Sequence, residues 1–175
     1  MDRIVKILSG KKGAIVEKCF DLTLKTYPPE TSRLLKREED RFLNPVGFAI
    51  RSGIESIFDE LVGAMDPDRL LRCVENVVKV RAVQAFTPSE AISFVYLLKR
   101  SIREEIGARS PRDDGRGLSP QREHGGTTDE KEQMLVEIDE RIDRIALLAF
   151  DVYMQCREKI HELRLKEAKA LHGRR

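Results

Sequence analysis

From Thr128 to about Leu171 the sequence carries neither proline nor glycine, and its apolar residues recur at spacings of three and four. Ile142, Ala146, Ala149, Tyr153, Cys156, Ile160 and Leu163 alternate steps of four and three, which is a heptad seam, and Ile138, Ile145, Leu148 and Val152 form a second apolar line beside it. Ahead of them, Thr127-Thr128-Asp129-Glu130 has the form of a capping box, in which a hydroxyl and a carboxylate satisfy backbone donors that a helix start leaves unpaired. At about 1.5 Å per residue this helix extends on the order of 60 Å, longer than a domain of this size is wide. Any fold of this chain must let one helix close a core and then overrun it. One seam can complete the domain while the other meets a partner, and the expected dimer seam comprises Ile142, Ala146, Ala149, Ile160 and Leu163.

The same period governs the rest of the chain, and no run of strict alternation appears, so the expected class is all-α. Ile15, Val16, Cys19 and Phe20 give the first segment one apolar face, which ends near Tyr27-Pro28-Pro29 because a residue before proline avoids the helical region. A short helix is predicted over Glu30 to Glu39. Asn44-Pro45 and Asp66-Pro67 each pair an N-cap with a proline at the first helical position. The helices they open carry the stripes Val46, Ile50, Ile54, Ile57, Phe58, Leu61 and Leu70, Leu71, Val74, Val77, Val78, Arg81. Thr87-Pro88-Ser89-Glu90 is another capping box, so two helices meet there at a fixed corner. The helix beyond it faces Ala91, Phe94, Val95, Leu98 and Ile102 inward. The expectation is a single bundle of about six helices: a body of about five over residues 1–108, a mobile loop over 109–128, and a long C-terminal helix over 129–171. The loop is predicted because Leu118 is the only large apolar residue among its glycines, prolines and charges, and such a segment cannot offset the entropy of ordering it.

With 175 residues, 41% hydrophobic and 35% charged, the chain can build one domain with a real core but not two ordinary ones. A formal charge of +2 supplies no global field toward nucleic acid or anionic lipid, and no stretch approaches a membrane span. Cys19, Cys73 and Cys156 are odd in number and sit in apolar periodic segments, which fits reduced thiols in the cytoplasm better than disulfides.

Motifs for catalysis or cofactors are weak. Ser9-Gly10-Lys11-Lys12-Gly13 lacks the spacing and the Lys-Ser/Thr ending of a phosphate loop, and it reads as a loosened helix or an interhelical turn. His124, His161 and His172 have no second ligand at i+3 or i+4 on a shared face, Ser89 is part of a cap, Ser93 lies on the helix beyond it, and Cys19, Cys73 and Cys156 have no histidine near them in sequence. The expectation is no metal, no cofactor and no enzyme activity. Arg81 is different, because a cation on an apolar stripe needs partners. Either its stem packs while the guanidinium snorkels out or bonds helix C-terminal carbonyls near Phe86, or Arg81 and Gln84, with Tyr153 or Arg157, line a pocket for an anionic or amide-bearing signal.

Five blocks, "YPPET" at Tyr27 to Thr31, "NPVG" at Asn44 to Gly47, "RAVQAFTPSEA" at Arg81 to Ala91, "LLKRSIREE" at Leu97 to Glu105 and "YMQCREKI" at Tyr153 to Ile160, resemble the N-terminal domain of RsbRD-type RsbT co-antagonist proteins. That resemblance implies a helical, haem-free, globin-like sensory domain that dimerises and acts through a regulatory protein partner in stress signalling. Related co-antagonists continue into a STAS domain that binds a switch kinase. This chain ends just after the helix that would connect to one, which points to a stand-alone regulator. The alternative from another class is a cofactor-binding accessory protein of a cytoplasmic-side redox complex, for example in anaerobic sulfur metabolism.

Overall fold

The computed structural model describes residues 2–37, 42–84, 86–107 and 128–172. Among these residues there are seven helices and no strand: α1 (Asp2–Gly10), α2 (Lys12–Leu24), α3 (Pro29–Arg37), α4 (Pro45–Val62), α5 (Pro67–Val83), α6 (Pro88–Gly107) and α7 (Thr128–His172). The all-α bundle with a long last helix is therefore what the chain adopts. Residues 109–127 of the expected loop lie outside the described residues, and so does Thr127 of the second capping box, whose other three residues begin α7.

The body has six helices rather than about five, because the first segment divides. Gly10 and Gly13 flank Lys11, whose backbone leaves the helical region at φ −111° and ψ 5°, and glycines on both sides lower the helical preference of the stretch. Lys11 N–H turns back to Leu8 O at 3.0 Å, and the Lys11 ammonium donates to Glu105 O at the end of α6. The lysine-rich stretch is an interhelical turn, and α1 packs on α2 and α4 beyond it.

Local signals set the other starts. Asn44 Oδ1 accepts from Gly47 N–H at 2.8 Å and Asp66 Oδ1 from Arg69 N–H at 2.8 Å, each with proline following the cap. The Asn44 amide also donates to Leu35 O at 2.7 Å, tying the end of α3 to the start of α4. Glycine is required three residues on: a Cβ at Gly47 would stand 2.2 Å from Asn44 Nδ2. Gly53 serves a different purpose. A Cβ there would lie 2.3 Å from Val77 Cγ2, so its absence lets α4 and α5 approach closely.

The core lies between α2, α4, α5, α6 and α7, with α5 and α6 each packed along α7. Ile50, Ile54, Ile57 and Phe58 contribute from α4 and Val74, Val77 and Val78 from α5, which pack together, as do α6, with Phe94, Val95 and Leu98, and α2, with Cys19 and Phe20. From α7, Ile138, Ile142, Ile145, Ala149, Val152 and Tyr153 are buried in the same core. Each fully buried isoleucine contributes about 1.5–3 kcal/mol relative to leaving it in water. Arg141 fixes where α7 lies along the body, donating from Nη1 to Leu61 O at 2.8 Å and Gly63 O at 3.0 Å. A cation on those two carbonyls satisfies acceptors that the end of α4 leaves open and complements its dipole. Past Cys156, which still packs against the core, the helix leaves the body, and from Glu162 to Leu171 its side chains are exposed.

Candidate functional site

The corner between α5 and α6 is built as its sequence indicates. Glu90 Oε2 accepts from Thr87 N–H at 2.9 Å, and Glu90 N–H points back to Thr87 Oγ1 at 3.4 Å. The Thr87 hydroxyl adds a donor to the same carboxylate at 2.7 Å, and these bonds hold the exposed Glu90 carboxyl below its ordinary range.

Beneath that cap lies Arg81, with 0% of its surface exposed. It neither snorkels out nor caps the end of its own helix. Nε donates to Ala91 O at 3.1 Å, and Nη2 donates to Glu90 O at 2.7 Å and to Thr26 Oγ1 at 2.9 Å. Those carbonyls belong to the first turns of α6 rather than the last turn of α5. The guanidinium carbon stands 4.1 Å from the Phe86 ring centroid and 5.2 Å from that of Tyr27, and the two rings meet edge to face at 4.9 Å. Cation–π attraction over a desolvated ring offsets part of the cost of removing the charge from water. Burial pushes Arg81 below its ordinary pKa, and the Tyr27 oxygen pulls it back. No hydrogen bond reaches Nη1, which is buried.

The four residues expected to form one pocket are not placed as one. Gln84, exposed at the end of α5, accepts from Tyr27 Oη at 2.9 Å through its side-chain oxygen. Tyr153 is buried and donates from Oη to Phe86 O at 2.6 Å. Arg81, Gln84 and Tyr153 thus converge on the Tyr27–Phe86 pair. Arg157 stands apart, one turn along α7, on a face of that helix shared with Asp151, Met154, Gln155, Glu158 and His161. Thr26, Tyr27 and Phe86 were not among the expected site residues. Tyr27, an aromatic directly before two prolines, was the one local hint of them.

The seam on α7 also divides. Ile142, Ala146 and Ala149 are buried in the chain's own core, and so are Ile138, Ile145 and Val152 of the neighbouring line, so the docked half of α7 spends both lines internally. Ile160 is half-buried and Leu163 is exposed on the projecting half.

A bundle whose buried arginine is held by backbone carbonyls and aromatic faces, and whose last helix runs out of the core, is an all-α domain of a single bundle with a long C-terminal helix. The sequence model of the RsbT co-antagonist protein rsbRD N-terminal domain matches residues 13–168, and the chain belongs to that family. The family is one of regulatory co-antagonist domains in stress signalling. No curated protein and no solved structure matches the chain.

Proposed function

We propose that the protein is a non-catalytic, cytoplasmic sensory domain that works as a homodimer, and that the α5–α6 corner sets how α7 docks. The observation that carries this reading is Phe86. Its ring receives the Arg81 guanidinium and its carbonyl receives the Tyr153 hydroxyl, so the corner and the long helix meet at one residue. A ligand or protein that shifts Phe86 alters both contacts at once, and the projecting half of α7 carries the change to a regulatory protein partner. Such a device needs a differential interaction with two packings of the corner, and it needs no reacting group.

The test is capture of the partner from the native host with three chains: wild type, Tyr153→Phe, and a chain truncated after Arg157. Truncation removes side chains that lie largely outside the core, so the melting temperature is expected to hold while partner capture is lost. Tyr153→Phe is expected to keep the fold and change the amount captured. Equal capture by all three chains would refute the proposed route from corner to arm.

A further inference from the structure

Turning both apolar lines inward leaves a third set of residues on the outer face of α7. Leu147 is 70% exposed, Phe150 43% and Met154 48%, and Tyr96 of α6 stands beside them at 53%. Ile92, Tyr96, Asp143, Ala146, Leu147 and Phe150 line a groove of about 380 Å³ between the two helices. Clustered large apolar side chains in water mark an interaction face, whereas scattered ones do not.

The charges along this face indicate what covers it. Glu140, Asp143, Leu147, Phe150, Met154, Arg157, His161 and Arg164 follow one another at steps of three and four, so they form one continuous line along α7. Its N-terminal end is acidic, its middle apolar and its C-terminal end basic. A second α7 laid parallel would set Glu140, Asp143, Arg157 and Arg164 against their own copies, and like charges face to face are costly. Laid antiparallel, the same line sets the acidic end of each helix against the basic end of the other, with the apolar middle on the two-fold axis. Lys99 stands 3.8 Å from Asp143, whose side chain is still 65% exposed and open to a second cation. Asp151 falls near the axis opposite its own copy and works against the pairing.

Resting on the homodimer reading above, we infer that the outer face of α7 is the dimer interface, with the two long helices antiparallel and Asp143 of one copy near Arg157 of the other. Each projecting half then lies back along the docked half of its partner. That covers the Leu147, Phe150 and Met154 face, with Leu165 on the same side about five turns from Leu147, and it leaves Leu163 on the opposite side of the helix.

Sedimentation equilibrium of the whole chain and its variants tests this. Leu147→Glu, at an exposed position, is expected to melt as wild type does and to sediment as a monomer. Asp143→Arg and Arg157→Glu should each raise the dimer Kd at least about tenfold by placing like charges together, and the double variant should recover most of the wild-type Kd. A monomeric wild type would overturn the homodimer reading and the interface with it. A dimer insensitive to Leu147→Glu would leave the homodimer standing and overturn this face. Dissociation by Leu147→Glu without recovery in the double variant would overturn the antiparallel arrangement.

Discussion

Replacing Arg81 separates what its charge contributes from what its volume contributes. Three hydrogen bonds join the guanidinium to Ala91 O, Glu90 O and Thr26 Oγ1. Bonds to a charged group are worth about 1.5–3 kcal/mol each. Against them stands the penalty for burying a cation with no carboxylate partner, itself several kcal/mol. The acceptors also survive its loss: the α6 carbonyls keep their helical N–H partners, and the Thr26 hydroxyl donates to Thr23 O at 2.7 Å. The electrostatic contributions therefore nearly cancel, and packing decides the outcome. Arg81→Ala empties a fully buried site and is expected to cost about 3 kcal/mol, within the range for large-to-alanine changes in cores. Arg81→Met refills most of the volume between the Tyr27 and Phe86 rings and should cost less than about 1.5 kcal/mol. Urea denaturation followed by far-UV circular dichroism measures both, and in a thermal melt the alanine variant should lose about 6–12 °C. If methionine proves as costly as alanine, the hydrogen bonds hold the corner and the cancellation argued here is wrong.

Four further outcomes follow from the packing. Gly53→Ala gains helix propensity but drives its Cβ into Val77 at the α4–α5 crossing, so a net loss of about 1–3 kcal/mol is expected in the same urea titration. Ala149→Glu places a carboxylate at a fully buried position and should give an unfolded chain by circular dichroism, whereas a folded monomer would mean that Ala149 faces a partner instead. Glu90 is held below the ordinary carboxylate range mainly by its hydrogen bonds to Thr87, so its contribution to stability is present above the unfolded carboxylate pKa, about 4.3, and is lost as pH falls through the lower folded value. Urea melts of wild type and Glu90→Gln between neutral and acid pH should therefore converge toward the acid end. Cys19 is buried and its thiol is pushed up to about 12, so iodoacetamide at mildly alkaline pH should label Cys73 and Cys156 first and reach Cys19 only on unfolding, as mass spectrometry would show.

Much of the fold was readable because its punctuation is local. Asn44, Asp66 and Thr87 lie within three residues of the groups they cap, and their types and spacings name the helix starts directly. The division of α1 from α2 was less readable, since two glycines three residues apart are compatible with a weak helix or a turn. Lys11 settles the matter by reaching Glu105, 94 positions away. The site suffers from the same distance. Arg81 could be seen to need partners, but Thr26 is 55 positions away, and the first turns of α6 became available only once the corner had folded back. On α7 the heptad pattern was real, but periodicity alone cannot say how many neighbours flank a helix. With α5 on one side and α6 on the other, both apolar lines turn inward, and the outer line of Leu147, Phe150 and Met154 was passed over because acidic and basic residues continue it.

Two of the polar contacts that α7 makes with the body limit how it can move. Arg141 grips the end of α4 and Tyr153 grips the α5–α6 corner, about 18 Å apart along the helix. Sliding by one residue would break both, so translation along the axis is closed to α7. Release of the Tyr153 anchor together with loosening of Ile145, Ala149 and Val152 leaves rotation about the Arg141 end, and α7 then behaves as a lever with its fulcrum inside the domain. From Tyr153 to His172 the helix runs about 28 Å further, so a tilt of about 5° at the fulcrum carries the tip some 4 Å. Any movement that this docking allows the arm is thus an angle at the tip and not a shift along the axis.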